Sequence, residues 1–142
     1  DFWNYPMFRT ISEQMGAEEP IGTLGLLIQN EHPALAGFPS RIYSTPQWYD
    51  IVTHSESAVL DGTPEIFRPI VQVIDNCERN HKLGLLYESR ISNGKLLVCT
   101  CRIGEIIERP EVQHFVRSLL DYAHSDSFDP TFTLTAEELC LR

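Results

Sequence analysis

Three carboxylates in this chain, Asp61, Asp75 and Glu88, end or line apolar runs that read as strands. Two such groups can cleave a glycosidic bond when they lie about 5–5.5 Å apart (retaining) or about 6.5–9.5 Å apart (inverting). The three could converge in a fold, their separation is not readable from the sequence, and solvated loop carboxylates are the commoner outcome. The five histidines, His32, His54, His81, His114 and His124, show no ligand spacing among themselves. His32, directly before Pro33, reads as a hydrogen bonder that orders its loop. The four cysteines are Cys77, Cys99, Cys101 and Cys140. Cys99 and Cys101 fall two apart in an expected strand, so they share a face and read as buried free thiols. A zinc pair is the lesser reading: Cys77 and His81 have helical ligand spacing, but no second pair completes four. No metal or cofactor is expected.

The densest polar run is Asp75-Asn76-Cys77-Glu78-Arg79-Asn80-His81-Lys82. It reads as a hydrogen-bonded loop between strands. The functional alternative is a binding patch in which Asp75, Asn76, Arg79, Asn80 and His81 meet a ligand, with Trp48 and Tyr49 as stacking rings. Aromatic rings near helix starts are more often core or domain-interface anchors, because each buries so much area, and Trp3 and Tyr5 fall under the same rule. No nucleophile elbow, dinucleotide fingerprint, Walker loop or His-Glu-x-x-His occurs. Gly22-Thr23-Leu24-Gly25 precedes a strand, the wrong side for a phosphate cradle.

The elements that would carry these residues centre on three apolar runs. These are Pro69–Asp75, Leu83–Ser89 and Lys95–Cys101, the last two joined through Ser92-Asn93-Gly94. Asn-Gly between apolar runs predicts a tight hairpin with positive φ at both residues. Residues 1–15 read as an amphipathic helix starting after Pro6, with Phe8, Ile11 and Met15 on one face and Trp3 and Tyr5 before it. Thr23–Gln29 reads as a strand buried on both faces. The segment 30–40 reads as an ordered loop with one helical turn, 46–52 as a short helix opened by Pro46, and 58–60 as a brief strand. From Pro110, the stripe Val112, Phe115, Val116, Leu119, Leu120 and Ala123 predicts the clearest helix. Thr135-Ala136-Glu137-Glu138 matches a capping box. With so few residues beyond it, and Asp1 in place of Met, the chain reads as a piece of something longer.

Composition supports one α/β domain, a central mixed sheet flanked by helices. At 142 residues with 42% hydrophobic and 22% charged, the chain can bury a sizeable core. A net charge of −9 speaks against a nucleic-acid groove, which needs excess Lys and Arg. No apolar run is long enough to span a membrane.

Several runs occur together and in order: Gly-Thr-Leu-Gly-Leu-Leu (22–27), His-Pro-Ala-Leu-Ala-Gly-Phe-Pro (32–39), Gln-Trp-Tyr (47–49) and Leu-Asp-Gly-Thr-Pro (60–64). Arg-Pro-Ile-Val-Gln-Val-Ile-Asp-Asn (68–76) and Glu-Arg-Asn-His-Lys-Leu-Gly-Leu (78–85) follow. Over residues 2–128 the chain resembles the tail region of large bacterial proteins classed with family 2 glycoside hydrolases, of the sugar-binding-domain type. The resemblance implies a partial glutamine-amidotransferase-like, flavodoxin-like fold whose Cys nucleophile is lost. It implies a single accessory domain over 1–128, with 129–142 as a tail or the start of another segment. The catalytic carboxylates of such enzymes lie in a barrel domain, so no catalytic residue transfers to this chain. The function implied is that of a non-catalytic accessory domain in a protein that breaks down β-linked glycans. The alternative is a glycan-binding module built on the aromatics and the Asp75–His81 loop. Expected partners are other domains of the same polypeptide and carbohydrate, and an isolated fragment is expected to self-associate through its exposed apolar patch.

Overall fold

The computed structural model describes residues 2–3, 25–75, 80–135 and 137–138. Its architecture is α/β: among the described residues, one sheet of six strands has helices packed on one face. The strands are β1 (Phe2–Trp3), β2 (Leu26–Ile28), β3 (Ser57–Val59), β4 (Val71–Ile74), β5 (Lys82–Ile91) and β6 (Gly94–Cys99). These strands pair antiparallel in the order β1-β3-β5-β4-β2, with β6 also on β5, and the parallel contact is a single bridge between Arg90 and Thr133. The helices are α1 (Tyr49–Thr53), α2 (Ile103–Ile106) and α3 (Pro110–Ala123).

Strand β5 is the centre because both its edges and both its faces are occupied. Leu86 pairs with Val71 of β4 on one edge and with Cys99 of β6 on the other. Along one edge β3 gives way to β6; along the other β4 gives way to residues 132–134, through Arg90 N–H to Phe132 O (2.7 Å) and Leu134 N–H to Arg90 O (2.9 Å). One face carries the larger core, with Leu83, Leu85 and Leu86 against Trp48, Phe115 and Leu119. The other carries a smaller cluster of Ala58, Leu60, Phe67, Tyr87 and Leu134. Gly84 belongs to that second face: a Cβ there would lie 2.5 Å from Leu60 Cδ1, so any larger residue would force the buried Leu60 to move.

Strict alternation fails once along β5. Gln72 pairs with Gly84 and Val71 with Leu86, so Leu85 is an extra residue, a β-bulge. Leu83 and Leu85 face the helices, and after the bulge Leu86 faces them too while Tyr87 joins the opposite cluster. Every side chain from Leu86 onward therefore has the reverse parity of those before the bulge.

The hairpin is present, with β5 pairing to β6 from Leu86↔Cys99 to Ile91↔Gly94. Its turn sits one residue earlier than the Asn-Gly signal suggests. Ser92 and Asn93 are the turn residues, and only Ser92 has a positive φ (53°), the sign pattern of a II′ turn and not the expected I′. The observed register sets Leu97 opposite Glu88 and Cys99 opposite Leu86, and both pack on the larger core. Strand β2 is buried on one face only: Leu26 and Ile28 enter the core, while Leu27 is 52% exposed. Helix α3 follows the predicted stripe except at Leu120, which is 54% exposed, and Ser118 and Tyr122 take buried places. The one-turn α2 had no apolar period long enough to signal it. Packing continues past residue 128: Leu134 is 1% exposed in the second cluster and Phe132 packs on it. The capping box forms, with Thr135 N–H on Glu138 Oε2 (2.7 Å) and Glu138 N–H on Thr135 Oγ1 (3.2 Å). Of the expected N-terminal helix, residues 4–15 lie outside the described residues; Phe2–Trp3 before it is a strand on β3.

Candidate functional site

The bulge decides where a carboxylate goes. Unbroken alternation from Leu83 would turn Glu88 away from the helices; the extra residue turns it toward them. There Tyr122 O–H donates to Glu88 Oε2 at 2.6 Å, and His32 Nε2 lies 3.6 Å from Oε1. Tyr122 arrives through the helical period, since Phe115, Leu119 and Tyr122 lie on one face of α3. His32 arrives through its loop: its Nδ1 accepts the Ala34 N–H at 3.2 Å and caps the 3-10 turn Pro33–Leu35, as the sequence suggested. That bond leaves the proton of the neutral ring on Nε2, the nitrogen that faces Glu88. The His32 and Tyr122 rings meet edge to face at 5.3 Å.

The loop is held against α3 by one buried hydroxyl. Ser118 Oγ donates to Ala34 O (2.7 Å) and accepts the Gly37 N–H (2.9 Å). Ser118→Ala would strand both backbone groups and is expected to lower stability by about 1–3 kcal/mol. A urea midpoint equal to that of the parent protein would contradict this.

These groups wall a cleft of about 490 Å³, whose lining includes Gln29, His32, Arg68, Glu88, Tyr122 and Phe132. Gln29 spends its Nε2 on Arg68 O (3.2 Å) and Pro69 O (2.9 Å). Burial first, and then the adjoining Glu88 carboxylate, push the Tyr122 phenol above its ordinary value, so it serves as a donor. At the rim Asp129 bridges Arg90 and Lys95, and its Lys95 hydrogen bond and Arg90 hold its carboxyl below the usual range.

The other sequence candidates go elsewhere. Trp48 is fully buried against Phe38 and Phe115, so it offers no stacking face and no anchor for a neighbouring domain; Tyr49 beside it is exposed. Asp61 and Asp75 converge on the approach to β5: Asp61 takes His81 Nδ1 (2.5 Å) and the Lys82 N–H (2.7 Å), and Asp75 Oδ2 takes the His81 N–H (3.0 Å). Lys82 Nζ donates to Thr63 Oγ1 (3.1 Å) and Pro64 O (2.9 Å), and burial followed by Arg68 pushes its ammonium down. Asn80 is exposed with a φ of 51°, while Asn76, Cys77 and Arg79 lie outside the described residues, as does Cys140. The six steps from Lys82 to Glu88 span roughly 20 Å of strand, so Glu88 does not join the aspartates. Cys99 and Cys101 are free thiols on the same core, and burial pushes Cys99 up to about 12 and Cys101 upward as well.

Residues 1–141 match the family described as a domain of unknown function, DUF8487. The chain belongs to that family. No curated protein matches it in sequence. Among the described residues no helix is long and apolar enough to cross a membrane.

In the sequence Glu88 stands out only as a possible partner for Asp61 and Asp75, and His32 only as a loop residue. Tyr122 and Ser118 do not stand out there at all. The spacing of Phe115, Leu119 and Tyr122 was a usable signal for Tyr122. Nothing in the period of β5 announced the bulge.

Proposed function

We propose that this domain is a non-catalytic accessory unit of a larger protein of the family 2 glycoside hydrolase type. The observation that carries the reading is the employment of its carboxylates. Asp61 and Asp75 fasten the entry to β5, and Glu88 holds Tyr122 roughly 20 Å away. The sequence runs at 22–27, 32–39 and 60–85 supply the link to glycan breakdown. Leu27, Ile42 and Tyr43, all exposed, supply apolar surface for another domain of the same polypeptide, and the charge of −9 disfavours nucleic acid. The purified domain should turn over none of a panel of chromogenic β-glycosides. Turnover that disappears in Asp61→Asn, Asp75→Asn or Glu88→Gln would overturn the proposal.

A second reading, a glycan-binding module, is favoured by the cleft beside Glu88. The surface first considered for it is weaker, because Trp48 is buried and His81 is engaged by Asp61.

A further inference from the structure

We propose that the cleft between β5, the His32 loop and the end of α3 is a sugar subsite, in which Glu88 accepts hydrogen bonds from ring hydroxyls. This deepens the glycan-binding reading and rests on it for the ligand class. An ionised carboxylate has about four acceptor positions. Tyr122 fills one on Oε2, and His32 at 3.6 Å is beyond hydrogen-bond range of Oε1. Glu88 therefore presents an open oxygen at the wall of the cleft.

The remaining lining narrows the ligand. With Gln29 Nε2 committed to two backbone carbonyls, its free capacity is the acceptor Oε1. Arg68 uses Nη1 on the Glu65 and Phe67 carbonyls, and its guanidinium has further N–H groups. His32 Nε2–H is another donor. The lining thus holds both acceptors and donors beside Tyr122 and Phe132. A simple cation would meet Arg68, and a simple anion would meet Glu88. Hydroxyl groups donate and accept at the same atom, so adjacent hydroxyls on a pyranose satisfy both kinds of wall at once, and its apolar C–H face suits the half-buried Phe132 ring. The volume of about 490 Å³ falls within the roughly 300–1,000 Å³ of small-ligand clefts.

The test is a two-dimensional amide NMR titration of the whole chain with glucose, galactose, mannose, cellobiose and lactose, and with alanine as a zwitterionic comparator. Saturable shifts clustered at Gln29, His32, Ala34 and Glu88 are expected with at least one sugar. Glu88→Gln should weaken that binding by about tenfold or more, the effect of losing a charged acceptor. Arg68→Ala, at an exposed position, should weaken it less and serves if Glu88→Gln does not fold. No saturable shift with any sugar, shifts with alanine alone, or unchanged affinity in both variants would overturn the subsite. None of these outcomes produces hydrolysis, so failure here is distinct from failure of the accessory reading, which turnover alone decides.

Discussion

Trp48→Ala is expected to cost about 3–5 kcal/mol, the range for deleting a large buried aromatic. Total stabilities of about 5–15 kcal/mol leave little margin for such a loss. Trp48 closes the 3-10 turn Pro46–Trp48 and meets Phe38 at 5.1 Å and Phe115 at 5.5 Å, while those two meet each other at 5.3 Å. One side chain thus ties the His32 loop, α1 and α3 to the face of the sheet. Tyr49, the next residue, is exposed, and Tyr49→Ala should change stability by no more than about 0.5 kcal/mol. Urea denaturation of both variants checks the contrast. The Trp48→Ala midpoint should fall with the slope unchanged, and equal midpoints for the two variants would refute it.

Where a residue's place depends on local chemistry or a sustained period, the sequence disclosed it. Pro110 and the apolar stripe behind it mark α3, the Thr135–Glu138 box forms, and Cys99 and Cys101 share a face. The strand pair flanking Ser92-Asn93-Gly94 was equally plain, although its turn falls one residue before Asn-Gly. What stayed hidden depends on three-dimensional placement. Ser118 looks like an ordinary polar residue of a helix until the His32 loop lies across it, and Glu88 looks outward-facing until Leu85 bulges. A polar side chain is silent about its partner when that partner lies 34 residues away, as Tyr122 lies from Glu88.

Raising the pH should unfold the domain well before its exposed groups alone would require it. The Tyr87 phenol is pushed by burial from 10.0 to about 12, and the Cys99 thiol, chiefly by burial, from 9.0 to about 12. Cys101 and Tyr122 are raised as well, burial again leading. Each of these groups is neutral when protonated, so the folded chain retains protons that the unfolded chain releases. The stabilisation is complete below about pH 9 and is lost as the pH rises through about 12. For Tyr87, shielded from solvent, two pH units correspond to about 3 kcal/mol. Melting temperature against pH should fall steeply over that interval, and Tyr87→Phe should flatten the fall. An identical alkaline limb in Tyr87→Phe would show that this phenol is not responsible.

The divided edges of β5 also matter while the chain is being made. Strands β3 and β4 precede β5 in synthesis, so its first half finds partners as it emerges. On the β4 side, the stretch around Arg90 waits for residues 132–134, which follow Ile91 by up to 43 positions. At translation rates of about 5–20 residues per second, that interval lasts about 2–9 s. During it the nascent strand presents unpaired backbone groups beside apolar side chains, the condition under which chains add to one another edge to edge. Arg90 places a positive charge on that open rim, which discourages a second strand from docking. Once the later segment arrives, the same guanidinium is taken up by Pro130 O (2.8 Å) and Asp129, so a guard during synthesis becomes a clasp in the finished fold.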